Sequence, residues 1–230
     1  MADGKELLAY IQETFTDLIN NSKMLKRIGE KEDPTIFDAN RYAYEVGRNM
    51  TNAFLENVTA EVLPDGKVSY SIANTIVPPM MQEEFDLDTK TTQKVITRLN
   101  QEAGLGLEGI IPGINEDRIA GLVKGISNAE TLEDAWKYMK APFQNFAVHA
   151  VDETVRKNAE FQYNAGLQPK IVRSTDGKCC EWCNKLAGVY DYPVSNPEVY
   201  QRHENCNCLV EFLPTKMRAQ NVHTRTWRDL

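Results

Sequence analysis

All five cysteines of this 230-residue chain (Cys179, Cys180, Cys183, Cys206 and Cys208) fall within thirty residues of one another, and the first 178 residues contain none. A chain divided this way has to fold one stretch around sulfur chemistry and the rest without it. The spacing is Cys180-Glu-Trp-Cys183, twenty-two further residues, then Cys206-Asn-Cys208, with His203 three residues before Cys206. A C-x2-C turn folds the backbone back, so that two sulfurs converge while amide N–H groups after the first thiolate point at them. The x2 gap between His203 and Cys206 suits a turn or the first turn of a helix. Cys206 and Cys208 lie on the same side of an extended strand. Zinc takes four such ligands in a tetrahedron, at about 2.0–2.3 Å. Cys180, Cys183, His203, Cys206 and Cys208 therefore compete for four places. Adjacent side chains diverge, so Cys179 is expected to stay outside the site as a buried or free thiol.

Three other chemistries fit the cysteines less well. A disulfide pair belongs to secreted chains, and Met1-Ala-Asp-Gly-Lys-Glu-Leu-Leu lacks the charged-then-apolar plan of a signal peptide. A redox C-x2-C needs a thioredoxin-like frame and leaves His203 and Cys208 unexplained. An iron site would use four thiolates. The expectation is one structural zinc per chain, its ligand set closed rather than open as in catalytic zinc. Trp182, Tyr190 and Tyr192 are expected to cover it, and Lys178, Lys185 and Arg202 to offset its negative charge.

The remainder reads as helix. Leu7, Leu8, Ile11, Phe15, Leu18, Ile19 and Leu25 recur at helical spacing and predict one helix over residues 4–28, stopped by Gly29. Thr35 and Asp38 form a capping-box pair before a second apolar stripe through Tyr42, Val46, Met50, Phe54 and Val58. Leu63-Pro-Asp-Gly predicts a turn, and Val68 to Val77 a short extended segment ending at Pro78-Pro79. Asp88 is expected to cap a helix through Val95, Ile96 and Leu99, with Gly104 past its end. The glycine-rich stretch 104–113 predicts a loop, and it matches no phosphate-binding motif. Asn115 and Thr131 with Asp134 are further helix starts. A last long helix is predicted from about Phe143 to Ala165, with Phe161 on its apolar face and Gly166 ending it. His149 projects away from that stripe and reads as a solvated or capping side chain. After Gly166 the period changes, and Pro169 to Arg173 predicts a strand followed by a turn at Asp176-Gly177. The fold class expected is mainly α. A helical assembly or docking domain would span residues 1–166, and a small zinc-stapled α+β module with a basic tail residues 167–230.

Charge follows the same seam. Residues 1–167 hold 17 Lys+Arg against 26 Asp+Glu, net -9, while residues 168–230 hold 9 against 7, net +2. The long part would repel nucleic acid, whereas the tail with Lys216, Arg218, Arg225 and Arg228 would not. The 42% hydrophobic and 26% charged content excludes a mainly disordered or fibrous chain. No window approaches the roughly 18 apolar residues of a membrane helix. The chain is expected to be soluble and intracellular when it folds.

The run Lys170-Ile-Val-Arg-Ser-Thr-Asp-Gly-Lys-Cys-Cys-Glu-Trp-Cys-Asn-Lys-Leu-Ala-Gly-Val-Tyr, then Arg202-His-Glu-Asn-Cys-Asn-Cys-Leu-Val, resembles the C-terminal signature of the Mu F-like minor head (head morphogenesis) proteins of tailed bacteriophages. That signature is a C-x2-C-x-x-L-x-G segment followed by H-x-N-C-x-C, preceded by a long helix. The closing Gln220-Asn-Val-His-Thr-Arg-Thr-Trp227 is also similar to one branch of that family, and the likeness covers roughly residues 143–230. The resemblance implies a structural rather than enzymatic role, in few copies, in head assembly near the portal vertex. Its expected partners are the portal or major capsid protein, with weak contact to packaged DNA, and neither a membrane nor a small-molecule substrate. The expected location is the virion capsid, and the host cytoplasm during assembly. The ligands it implies are Cys180, Cys183, His203, Cys206 and Cys208, with no catalytic residue. The competing expectation is a zinc-stapled nuclease or toxin using His203 and Asn205 in an HNH-like centre, or a zinc-ribbon DNA binder. Only His149, His203 and His223 could serve a nuclease, and the -7 net charge disfavours a DNA binder.

Overall fold

Side-chain caps begin most of the helices in the computed structural model, which describes residues 3–175, 179–203, 206, 208–215, 218–220 and 227–229, the last two segments by backbone alone. Asp3 accepts from the amides of Lys5 and Glu6 and opens α1 (Gly4–Asn21). Thr35 and Asp38 cap each other reciprocally before α3 (Ile36–Asn57), with the Asp38 carboxylate 2.8 Å from the Thr35 amide. Asn115 opens α5 (Glu116–Asn128), and Thr131 opens α6 (Leu132–Ala135). Each satisfies amides that have no partner within their own helix.

Two helix expectations need correction. Residues 4–28 are two helices, because Ser22 leaves helical geometry and caps α2 (Lys23–Gly29) through the Leu25 amide. Its hydroxyl also donates to Glu45 at 3.0 Å. The segment Val68 to Val77 is not extended, and Asp88 lies inside a helix rather than at its start. Ser69 instead starts α4 (Tyr70–Glu102), one 33-residue helix with Pro78 and Pro79 inside it. An interior proline removes a hydrogen bond and costs about 3 kcal/mol. The compensation is burial: Ile72, Ile76, Val77, Met80, Met81 and Phe85 are all buried. The stripe continues through Glu84, Asp88, Thr89 and Thr92, also buried, which is why it is hard to see in the sequence.

The described residues form two compact units. The first comprises residues up to Glu32, Asn40–Asp88 and Gly113–Ala150. Its core joins Leu7, Ile11 and Phe15 to Met50, Phe54, Met80, Ile126 and Phe143. Phe54 and Phe143 meet edge to face at 4.9 Å between centroids. The helix α7 (Ala141–Asn164) comes so near α3 that a Cβ on Gly47 would lie 2.8 Å from the Gln144 Cα.

The second unit takes Asp33–Ala39, Thr89–Pro112 and the chain from Val151 onward. The loop expected at 104–113 is present there, held by amide side chains. Asn158 both accepts from and donates to the backbone of Ile110 at 2.8 Å, Asn100 donates to the Leu107 carbonyl, and Gln162 donates to Asn100. Gly104 and Gly166 end α4 and α7 with φ of 75° and 83°. At each, the residue after the glycine bonds back five positions, to Asn100 and Gln162 respectively, as in a Schellman cap. Phe161, expected on the apolar face of α7, is 42% exposed.

The strand expected after Pro169 is β1 (Lys170–Ser174), at the centre of an antiparallel sheet between β2 (Gly188–Asp191) and β3 (Leu209–Leu213). Ile171 pairs with Tyr190 on one side and Phe212 on the other. Between β1 and β2 comes the short α8 (Glu181–Lys185). Two further strands, β4 (Arg218–Gln220) and β5 (Trp227–Asp229), pair with each other. The chain is thus mainly helical, with a small C-terminal α+β part. Among the described residues no helix is long and apolar enough to cross a membrane. The turn expected at Asp176-Gly177, Lys178, Asn205, His223 and the side chains of the basic tail lie outside the described residues.

Candidate metal centre

The first turn of α8 supplies two sulfurs. Cys180 is its N-cap, and the Cys183 amide donates to the Cys180 sulfur at 3.5 Å, the N–H···S geometry expected of a C-x2-C turn. Cys183 is fully buried. The chain returns through β2 and a 3-10 turn (Pro197–Tyr200), and there His203 brings Nε2 to 3.1 Å from the Cys183 sulfur and 3.3 Å from that of Cys180. The Cys206 amide donates to the His203 carbonyl, closing the turn expected from the x2 gap. That turn sets the Cys206 sulfur 3.7 Å from Cys183. Cys208, just before β3, is buried.

Donor atoms therefore converge in two overlapping triads, Cys180–Cys183–His203 and Cys183–Cys206–Cys208, which share Cys183. These clusters could hold a metal ion. Tetrahedral bonds of about 2.3 Å to sulfur and 2.0 Å to nitrogen put sulfur pairs about 3.8 Å apart and sulfur–nitrogen pairs about 3.5 Å apart. The three short donor distances (3.7, 3.3 and 3.1 Å) lie within about half an ångström of those edges. The soft and borderline donor set suits zinc. All five residues expected as ligands are in the cluster. Cys179 is outside it, half-buried, its thiol donating to Asn184 Oδ1 at 3.0 Å.

The thiols differ in their surroundings. The Cys183 amide hydrogen bond holds the Cys180 thiol below its ordinary value, helped by Cys183 and His203. Burial pushes Cys206 up, but the amide and thiol of Cys208 and the Arg202 charge outweigh it, and the net shift is downward. Burial pushes both Cys183 and Cys208 up.

Two arginines frame the sulfurs. Arg202 was expected near the site, and its partner is the finding: a bidentate pair with Asp152 of α7, with both side chains almost completely buried. The same guanidinium donates to the carbonyls of Cys208 at 2.5 Å and Cys206 at 3.5 Å. Burial opposes the Arg202 charge, yet the Asp152 carboxylate prevails and the pKa is raised. Arg173 of β1 is buried and donates to the Cys183 sulfur at 3.7 Å and to the Val199 and Gln201 carbonyls. Sequence reasoning missed both Arg173 and Asp152. For Arg173 a signal existed, since strand alternation puts it on the same face as the buried Ile171. For Asp152 no local pattern marks it.

The other expected neighbours separate. Trp182 packs edge-on to His203 with ring centroids 6.0 Å apart. Tyr190 instead donates to the Leu186 carbonyl, and Tyr192 packs against Tyr163. Lys185 pairs with Glu181 on the exposed face of α8. His149, half-buried in α7, is in neither triad. Compared with known proteins, the chain matches no family model, no curated protein and no solved structure.

Proposed function

We propose that this chain is a structural protein stapled by one zinc ion, and that it serves as a minor head protein of a tailed bacteriophage, acting in head assembly near the portal vertex. The observation that carries the reading is the convergence of C-x2-C and H-x2-C-x-C donors, 20 or more residues apart, on a buried Cys183. It supports a cross-link rather than a reaction centre. The same residues form the signature that resembles the Mu F-like head proteins.

Four of Cys180, Cys183, His203, Cys206 and Cys208 would hold the ion, with the buried Cys183, common to both triads, at its centre. The fifth group then stands beside the site. The zinc would clamp α8 to the loop that ends in β3, replacing apolar packing that so short a segment does not supply. In this reading the output is docking on portal or major capsid protein, in the capsid of the virion.

The test joins composition to location. Purified protein is expected to carry about one zinc per chain, to be present in purified virions and to co-purify with portal or capsid protein. Cys183→Ser is expected to abolish all three. Absence from virions together with metal-dependent cleavage of plasmid DNA would replace the reading with the nuclease one, and tight DNA binding without cleavage with the zinc-ribbon one.

A further inference from the structure

Arg173 poses a problem that the metal ligands alone do not answer. Among the described residues it is the largest fully buried side chain, 1% exposed, on the central strand of the three-stranded sheet. Its Nη1 donates to the carbonyls of Val199 at 2.5 Å, Gln201 at 2.8 Å and Glu198 at 3.4 Å. Its Nη2 reaches the Cys183 sulfur at 3.7 Å, and its Cζ lies 5.5 Å from the centre of the Trp182 ring. None of these groups is a carboxylate. A guanidinium is cationic throughout the physiological range, and burying a charge is costly unless a counter-charge accompanies it. Arg202 shows the ordinary solution in the same unit, a buried carboxylate on Asp152. For Arg173 the group in the corresponding place is the Cys183 sulfur.

We propose that Arg173 is a positioning residue of the metal centre: its Nη2–H donates to the metal-bound Cys183 thiolate, orienting that sulfur and withdrawing electron density from it. The inference rests on the metal reading above. A coordinating thiol is deprotonated outright, which gives the guanidinium its counter-charge. The planar fork explains why arginine is required. One nitrogen anchors to the carbonyls of the 3-10 turn just before His203 while the other reaches the sulfur, so β1, that turn and α8 are aligned by a single rigid group. Groups of this kind around a metal commonly change affinity 10- to 100-fold when removed. A sulfur whose lone pair is engaged by N–H is also a poorer nucleophile, so Cys183 is kept on the metal and away from electrophiles.

Zinc- and cobalt(II)-loaded full-length protein tests this. Arg173→Met keeps the length of the side chain without the donor. It is expected to weaken zinc retention against a chelator 10- to 100-fold, move the thiolate-to-cobalt charge-transfer band to lower energy, and speed iodoacetamide alkylation of Cys183. Arg173→Lys is expected to recover part of the affinity but not the band position. Unchanged affinity and an unchanged band in Arg173→Met would overturn the proposal. If Arg173→Met does not fold, cadmium-113-loaded wild type decides: a coupling between the Arg173 Nη protons and cadmium is expected, and its absence overturns the proposal. Failure of the wild type to bind zinc or cobalt at all overturns the metal reading itself, a different result from binding that ignores Arg173.

Discussion

The interior around Phe54 and the interior around Cys183 solve the same problem by different means. In the first unit, bulky apolar side chains from α1, α3, α4, α5 and α7 fill one contiguous core, and even two consecutive prolines are tolerated inside a helix. Around Cys183, buried charged groups (Arg173, Asp152 and the Arg202 side chain) stand among buried apolar ones (Ile171, Leu186, Val199, Val210 and Phe212). Apolar burial is non-directional and forgives local irregularity. A network of sulfurs, guanidinium groups and carbonyls is directional, and each partner left alone in it is expensive. The helical core is therefore expected to degrade gradually under substitution and the cysteine region to fail abruptly.

Metal removal is the strongest way to break that contrast. Structural zinc contributes on the order of 10 kcal/mol to small modules. Chelation is expected to remove hydrogen-exchange protection from residues 170–213 while α1, α3 and α5 keep theirs. Protection of residues 151–164 and 89–102 reports how far the loss spreads, to Gly166 or through the whole second unit. Equal loss in both units would show that they do not differ in what holds them.

Asp152→Ala comes next. It strands Arg202 as a buried cation, a loss of about 3–5 kcal/mol, measured as a lower urea midpoint together with weaker zinc retention. A change in stability alone would separate Asp152 from the metal loop.

In the helical unit, Gly47→Ala pushes a Cβ to 2.8 Å from the Gln144 Cα. Overpacking of this sort costs about 1–3 kcal/mol, and the zinc content is expected to stay at that of the wild type.

The response to pH has opposite signs in the two regions. Burial raises the Glu84 carboxyl well above its ordinary value, partly opposed by Arg118, and burial followed by the Glu84 charge raises Asp88. The folded state thus keeps protons that the unfolded chain releases above a carboxyl value of about 4.5. This contribution is complete below that pH and declines toward the raised values, by up to about 1.4 kcal/mol per pH unit for each group. Zinc affinity runs the other way, because its ligands must lose protons to bind. Glu84→Gln is expected to flatten the fall in the urea midpoint above the ordinary carboxyl range and leave the pH dependence of zinc binding untouched. If the wild-type midpoint does not fall above that range, the buried pair is not held protonated.

Much of this molecule was legible in one dimension because its signals are local. Caps at Thr35, Asn115 and Thr131, the glycine stops at 104 and 166, and the strand after Pro169 each depend on a few neighbouring residues, and each is present. The donor set was legible for the same reason: C-x2-C and H-x2-C are turn geometries, and only the distance between the two turns is long-range. The failures share a cause too. A polar residue in the middle of α4 looks like a cap until the fold buries it, and Ser22 looks like a helix interior until Glu45 gives its hydroxyl a partner. The sequence placed a seam at Gly166, where the helical period stops, whereas the contacts group residues 151–164 with the sheet. What the sequence determined by itself was most of the helical segments and which five residues bring sulfur or imidazole into a cluster that could hold a metal ion, because backbone propensity and ligand chemistry reside in single side chains. What only the tertiary structure decided was the partner of each buried arginine: the Asp152 carboxylate for Arg202 and the Cys183 sulfur for Arg173, 50 and 10 residues away. The cost of burying a charge is set by whatever the fold brings within hydrogen-bonding distance.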